Sequence, residues 1–243
     1  MTNLFDQVSH SKEVSDYYHI LNSSNILNVY YWTVYLELIK NIKGDIVECG
    51  VGRGRSLITL LSLNRYYESI SKNKIKRKIY ALDSFIGFPE PTKEDNSDRN
   101  PKKGEWSTSP NNEFNYSIES LNKILKKADL GNLRKNQLNI VKGFFEKTTK
   151  NLKIKKISIL HLDGDLYKSI KDPLENLSNK VVKGGIIVLD DFYLKKNNRL
   201  KDDFPGARKA LDEFLDKDKG FKLKESIRGT PYLIRYRYYD KKN

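Results

Sequence analysis

Five short apolar runs, separated by helical or polar segments, constrain the fold of this chain more than any other feature. They cover residues 45–51, 78–85, 138–145, 156–165 and 184–192. Strand-like runs that alternate with helical patterns predict a parallel sheet wrapped by helices. A chain of 243 residues is long enough for one such domain with a sizeable core. We therefore expect a single α/β domain over residues 1–243.

The C-terminal end breaks this alternation. Residues 221–227 and 230–239 are two strand-like runs separated by Arg228-Gly229, which leaves no room for a helix. They are expected to pair as a hairpin and to add an antiparallel element to the sheet. Five parallel strands followed by a hairpin are typical of the seven-stranded, Rossmann-like methyltransferases of class I. A dinucleotide-binding fold would instead continue with another crossover.

Two further segments stand outside the strand pattern. Residues 1–43 have helical apolar spacing and are expected to form an N-terminal helical cap, which could serve a dimer interface or cover the active site. Residues 87–115 are polar and rich in proline, and a loop of this length is either a functional lid or disordered. We expect a lid, in which Trp106 and Phe114 cover a ligand.

Composition excludes several classes of protein. No apolar run approaches the roughly 20 residues of a membrane-spanning helix. The first residues lack a basic start followed by an apolar stretch, so no secretory signal is expected. The single cysteine, Cys49, excludes an intrachain disulfide and suits a reducing cytoplasm, where we expect the protein. The net charge of +14 comes from scattered lysines that form no recognisable nucleic-acid module, so solvated loops explain it better than an acidic partner does.

A glycine-rich turn, residues 48–54, follows the first strand and opens a helix. Glycines there allow a tight turn and a close approach of backbone to ligand. The carboxylate of Glu48 would repel a pyrophosphate but suits a cationic group such as a methionyl ammonium. The turn also lacks the Gly-Lys-Ser/Thr of a phosphate-binding loop.

The ends of the second and third strands supply the remaining nucleoside contacts. Asp83 can accept both hydroxyls of a ribose, although an aspartate that only caps the turn is the alternative. Ser84, Phe85 and Gly87 are expected on the adenosine side. Gly143, Phe144 and Phe145 end the third strand, where adenine commonly packs in this architecture.

Four aspartates follow the fourth and fifth strands: Asp163, Asp165, Asp190 and Asp191. The carboxyl ends of parallel strands meet at one edge, so the side chains converge if the strands are neighbours. So much negative charge is costly without protons or a cation. Oxygen ligands suit Mg²⁺ before Ca²⁺ or Mn²⁺, and the few histidines and one cysteine argue against zinc. The alternative is that these aspartates cap the following helices, and His161 is expected to be a hydrogen-bonded core residue rather than a ligand.

The sequence blocks ECGVGRG, ALDSFIGFPEP, KGFFEKT, ILHLDGDLYKSIKDPLENL, GGIIVLDDF and GARKALDEF occur in this order. Together they resemble the macrocin O-methyltransferase (TylF-like) family, whose members methylate sugar hydroxyls of macrolides, aminocoumarins and related natural products. The resemblance covers about residues 44–215, and LHLDGDLY and LDDF are its most specific parts.

The resemblance implies an S-adenosylmethionine- and Mg²⁺-dependent enzyme that methylates a sugar hydroxyl of a glycan, nucleotide-sugar or glycosylated natural product. It implies that Asp163, Asp190 and Asp191 bind the metal, with Mn²⁺ or Ca²⁺ as possible substitutes, and that Asp165 is the general base. The cofactor residues that it implies are Glu48, Gly50, Gly52, Gly54, Ser56, Asp83, Ser84, Phe85, Gly143, Phe144 and Asp163.

Other functions stay open at this point. A catechol-type O-methyltransferase uses similar metal chemistry on aromatic diols. An RNA-binding or RNA-modifying protein would make use of the positive charge. A metal-binding protein of this fold without catalysis is a third alternative. The acceptor is expected to present a hydroxyl, and a vicinal diol would suit the metal best, whereas its identity and the oligomeric state remain open.

Overall fold

A computed structural model describes residues 23–70, 75–108, 115–132, 137–195 and 203–237. The strands are β1 (Asp45–Cys49), β2 (Ile79–Asp83), β3 (Leu138–Lys142), β4 (Ile157–Leu162), β5 (Val181–Leu189), β6 (Phe221–Glu225) and β7 (Pro231–Arg235). The helices are α1 (Ser23–Leu38), α2 (Arg55–Ile70), α3 (Ile118–Lys127), α4 (Phe145–Asn151), α5 (Tyr167–Leu177) and α6 (Pro205–Lys217).

The described strands form one sheet in the order β3-β2-β1-β4-β5-β7-β6. Strands β1 to β5 are parallel, while β7 runs antiparallel to both β5 and β6. The predicted α/β fold with a C-terminal hairpin is therefore confirmed. Strand β1 lies in the middle of the sheet; the chain then builds outward to β3 and crosses back to β4. This reversal creates a switch point between β1 and β4, the place where open α/β sheets bind ligands.

Helices cover both faces of the sheet, which explains why the strands are nearly continuous apolar runs. All six residues of β4 are buried. Buried side chains of α1, α2 and α3 pack on one face, and those of α5 and α6 pack on the other. Among the described helices, none combines the length and the apolar character needed to cross a membrane.

Several predicted strand ends were wrong by a few residues. The run 138–145 was expected to be one strand, but β3 ends at Lys142 and Phe145 begins α4. A helix of seven residues is too short to show a clear apolar period in the sequence. Strand β5 also begins earlier than predicted and ends at Leu189, which leaves Asp190 and Asp191 just beyond the sheet.

Helix α1 is the described part of the predicted N-terminal cap; residues 1–22 lie outside the described residues. Tyr31, Trp32 and Tyr35 are buried between this helix and the sheet. Its opposite side exposes Ile26 and Tyr30. Helix α1 therefore covers a face of the sheet, and its role in a dimer stays a prediction.

The described part of the long polar segment, residues 87–108, is folded against the domain. The Phe88 N–H donates to Glu105 O at 2.8 Å, and the Gly104 N–H donates to Phe88 O at 3.0 Å. Asp95 is buried and accepts the N–H of Tyr167, the first residue of α5, at 2.6 Å. Trp106 is 47% exposed, and Phe114 lies outside the described residues.

Candidate active site

A cavity of about 380 Å³ opens at the carboxyl ends of the central strands. Its size lies within the usual range for small-molecule sites. Eleven residues that the sequence singled out line it: Gly50, Gly52, Ser56, Asp83, Ser84, Gly87, Trp106, Phe144, Phe145, Asp163 and Asp165. The cavity therefore joins the glycine-rich turn after β1 to the first two aspartates after β4.

The other predicted cofactor residues do not line the cavity themselves. Glu48 is fully buried, and its Oε1 is 3.2 Å from Nδ1 of His161, whereas its Oε2 has no hydrogen-bond partner among the described residues. Gly54 packs closely on Leu121 of α3, and Phe85 is buried. Gly143 follows β3 with a backbone φ of +139°, which favours glycine.

His161 is buried, and its imidazole makes an edge contact with Trp32. Burial alone would lower the pKa of His161, but the contact with Glu48 and the nearby aspartates raise it above its usual value. The expected core histidine therefore has a partner for Nδ1 in Glu48, whereas its Nε2 is buried without a hydrogen-bond partner among the described residues.

The glycine-rich turn is held in place by two contacts. Gly50 has a φ of +98°, and a Cβ at this position would collide with the backbone oxygen of Asp163. Oδ2 of Asp83 accepts the N–H groups of Val51 at 2.8 Å and Gly52 at 3.0 Å.

Oδ1 of Asp83 accepts a third N–H, that of Phe85, at 2.7 Å. Asp83 therefore makes the bonds expected of an aspartate that caps a turn, which was the alternative to its role as a ribose ligand. A carboxylate has about four lone-pair sites, so one remains for a further donor.

Three of the four predicted aspartates come together at the wall of the cavity. Carboxylate oxygens of Asp163, Asp165 and Asp191 lie within 4.8 Å of one another. The Asp165 N–H donates to Oδ2 of Asp191 at 3.1 Å, while Oδ1 of Asp191 is buried without a hydrogen-bond partner among the described residues. Asp190 is not part of this group, and its Oδ1 is 2.5 Å from Nη1 of Arg228.

The three clustered carboxyls hold their protons more tightly than usual. Burial, and then the charge of Asp190, raises the pKa of Asp163 to about 6. Burial, and then the charge of Asp163, raises the pKa of Asp165 to about 8. Burial, and then the charge of Asp165, raises the pKa of Asp191 well above its usual range. A cation would relieve this repulsion, and the all-oxygen donor set with the unpartnered Asp191 oxygen fits a hard divalent ion.

Several residues of the site were not predicted from the sequence. The cavity is also lined by Arg55, Tyr116, Glu146, Lys168, Ser169 and Asp172. Arg228 was missed too, although a signal for it existed. Because β7 pairs antiparallel with β5, the turn before β7 must lie near the carboxyl end of β5, where Asp190 stands.

Comparisons with known proteins agree with this architecture. The family model described as Macrocin-O-methyltransferase (TylF) matches residues 33–219, more than half of the chain. Demethyldecarbamoylnovobiocin O-methyltransferase of Streptomyces niveus is 29% identical over 177 residues, which cover 73% of this chain and 60% of that protein.

A second relative, from Streptomyces olivaceus, is the 8-demethyl-8-(2,3-dimethoxy-alpha-L-rhamnosyl)-tetracenomycin-C 4'-O-methyltransferase. It is 26% identical over 188 residues, which cover 77% of this chain and 67% of that protein. The solved structure of the O-methyltransferase NovP superposes with a TM-score of 0.66 and 27% identity. That superposition covers 88% of this chain and 80% of NovP.

Proposed function

Because this chain belongs to the macrocin O-methyltransferase (TylF) family, we propose that it transfers a methyl group from S-adenosylmethionine to a sugar hydroxyl. The acceptor is a glycan, a nucleotide-sugar or a glycosylated natural product, and Mg²⁺ assists the reaction. One observation carries the proposal. The cavity that the glycine-rich turn lines also reaches Asp163 and Asp165, two members of the carboxylate cluster.

S-adenosylmethionine supplies a methyl group that its sulfonium already activates. Residues of the cavity bind and orient it. The turn at Gly50 and Gly52 allows a close approach of the backbone, Asp83 has an acceptor site left for a ribose hydroxyl, and Phe144 offers an apolar surface to the adenine. Glu48 places negative charge beneath the turn, which favours the methionyl ammonium.

Bound Mg²⁺ supplies positive charge that favours loss of the proton from the acceptor hydroxyl. We assign Asp163, Asp190 and Asp191 as its ligands. Asp163 and Asp191 already share the cluster, whereas Asp190 is paired with Arg228. Asp165 accepts the hydroxyl proton, because it lines the cavity and stands beside the ligands.

The names of relatives support a sugar acceptor. The protein from Streptomyces olivaceus is named for 4'-O-methylation of a rhamnosyl-tetracenomycin. The raised pKa values of the clustered carboxyls support metal dependence, because a divalent cation lowers the free energy of the ionised cluster. The free and buried Cys49 suits the cytoplasm as the compartment of the reaction.

A screen of sugar and nucleotide-sugar acceptors with S-adenosylmethionine and Mg²⁺, read by mass, tests the proposal. We expect a methylated sugar product that disappears with EDTA and returns when Mg²⁺ is added in excess. Methylation of catechols but of no sugar would favour the catechol-type enzyme instead. A chain that does not bind S-adenosylmethionine in a calorimetric titration, or that retains RNA with a steep salt dependence, would contradict the proposal.

A further inference from the structure

Arg228 connects the C-terminal hairpin to the carboxylate edge. It lies in the turn between β6 and β7, which is closed by bonds from the Ser226 N–H to Thr230 O and from the Gly229 N–H to Ser226 O. Nη1 of Arg228 reaches Oδ1 of Asp190 at 2.5 Å. The pairing of β7 with β5 brings this turn to the end of β5, although 38 residues separate the two side chains in the chain.

The contact between Arg228 and Asp190 has further support from α1. The Arg228 guanidinium lies 4.8 Å from the ring centroid of Tyr31, a cation–π distance. The Tyr31 hydroxyl is 3.5 Å from Oδ1 of Asp190 and 3.3 Å from Oγ1 of Thr230. Among the described residues, Arg228 is the cation in ion-pair contact with the aspartates after β4 and β5.

We infer that Arg228 is a built-in counter-ion for Asp190, which the divalent cation must replace before Asp190 can become a ligand. This inference rests on the proposed function, since it concerns the same cation site. Asp190 directly precedes Asp191, whose carboxylate already lies in the cluster, so Asp190 stands one residue from a member of the cation site. Arg228 therefore competes with the metal for the carboxylate of Asp190.

Exposure and charge both favour replacement of Arg228 by the cation over a permanent pair between Arg228 and Asp190. The Arg228 side chain is 31% exposed and that of Asp190 is 16% exposed, so the guanidinium can regain water when it leaves. Water that reaches the partly exposed guanidinium screens its attraction to Asp190, which limits what this single pair contributes to stability. A divalent ion gains the attraction of several buried carboxylates at once, in surroundings that screen charge poorly. The divalent ion therefore wins the competition for Asp190.

If Arg228 instead supported the metal ligand, its removal would change the metal affinity in the opposite direction. If Arg228 stayed on Asp190 and oriented it while the metal bound, its removal would weaken metal binding, as loss of an outer-shell partner does. If Arg228 competes with the metal, its removal strengthens binding. The direction of the change therefore separates the two cases.

Calorimetric titration with MgCl₂ on the full chain measures this direction. We expect Arg228→Gln to bind Mg²⁺ roughly fivefold more tightly than the wild type, about 1 kcal/mol. Arg228→Lys keeps the charge and should stay near the wild-type affinity. Arg237→Gln is the matched control, because Arg237 is exposed and lies 5.2 Å from the Tyr236 ring, so it removes the same charge without touching Asp190.

The outcomes separate the inference from the proposed function. A wild-type chain that does not bind Mg²⁺ would contradict the metal dependence itself. A wild-type chain that binds Mg²⁺, together with an Arg228→Gln affinity that is unchanged or weaker, would overturn the counter-ion role alone.

A second measurement needs no charge-removing variant. In wild-type protein with ¹⁵N-labelled arginine, the Arg228 side-chain Nε–H signal, identified by its loss in Arg228→Lys, should shift on addition of Mg²⁺. A signal that Mg²⁺ leaves in place would likewise overturn the counter-ion role.

Discussion

Asp165 is the residue on which the chemistry depends most. It has a φ of +63°, in the left-handed region that few residues other than glycine adopt. Its N–H bond to Asp191 holds it there, and its carboxyl lines the cavity. Strained backbone that the surroundings hold in place is found most often at functional sites. The pKa of the Asp165 carboxyl is raised to about 8, chiefly by burial and then by the charge of Asp163, so without a cation it keeps its proton at neutral pH. A cation bound beside it would lower this pKa and free the carboxylate to accept a proton.

We expect Asp165→Asn to reduce turnover by at least about 100-fold, because positioned bases contribute at least that much. Affinity for S-adenosylmethionine should change little, since the turn after β1 and Asp83 are untouched. Methyl transfer read by mass checks the loss of turnover, and calorimetric titration with S-adenosylmethionine checks that the cofactor affinity is kept. Asp216→Asn, an 88% exposed aspartate of α6, is the control. Turnover that survives in Asp165→Asn would remove the base assignment.

The sequence predicts which aspartates meet but not where each one points. Asp163, Asp165 and Asp191 converge because β4 and β5 are parallel neighbours, and alternating apolar runs make this arrangement predictable. The orientation of Asp190 depends on Arg228, and that pair joins a strand end to a hairpin turn. The bonds of Asp83 could not be predicted either, because local backbone geometry decides which N–H groups donate to its carboxylate.

At the scale of elements, one buried carboxylate of the 87–108 segment caps a helix of the domain. Asp95 accepts the N–H and the hydroxyl of Thr92 at 2.7 and 2.9 Å, and the N–H of Tyr167 at 2.6 Å. The first N–H groups of a helix have no partner within it, so Asp95 caps α5 from a distant segment. The polar composition of the segment conceals this anchor, which is why the sequence left disorder open.

We expect Asp95→Ala to lower the free energy of unfolding by about 1–3 kcal/mol, because it leaves the buried N–H of Tyr167 without a partner. Urea unfolding of the full chain measures the change. Asp98→Ala removes an exposed aspartate from the same segment and should stay within about 0.5 kcal/mol of the wild type. Equal effects of the two substitutions would mean that Asp95 does not anchor the segment.

The whole molecule combines a basic surface with an acidic site. The net charge is +14, yet Asp163, Asp165 and Asp191 gather at one edge with pKa values above their usual range. The folded state therefore binds more protons than the unfolded state between about pH 4 and about pH 8. His161, whose pKa is also raised, acts in the same direction.

It follows that the melting temperature of the EDTA-treated protein should fall as the pH rises from about 5 to about 8. Mg²⁺ should raise the melting temperature more at pH 8 than at pH 5, because binding to carboxyls competes with their protons. Calorimetric scans at both pH values, with and without Mg²⁺, measure this. A melting temperature that rises through this range, with no response to Mg²⁺, would contradict the charge repulsion at the site.

The fold as a whole was more predictable than the site. Apolar runs and the absence of a helix between the last two strands were enough to predict the parallel sheet and its hairpin. Helix α4 was missed because seven residues carry too little periodicity. Contacts between distant segments, such as Asp95 with α5, leave no mark in local sequence patterns.

Any Cβ at Gly50 would collide with the backbone of Asp163. The glycine-rich turn after β1 and the loop after β4 that carries the aspartates are therefore packed directly against each other. Neither can shift without displacing the other. A descendant enzyme that acquires a new acceptor is therefore expected to keep Gly50 and the backbone packed against it. Substitutions are easier to accommodate at Trp106 and Tyr116, which line the cavity from outside the sheet. Diversification of acceptors and conservation of methyl chemistry would then be consequences of the same steric constraint.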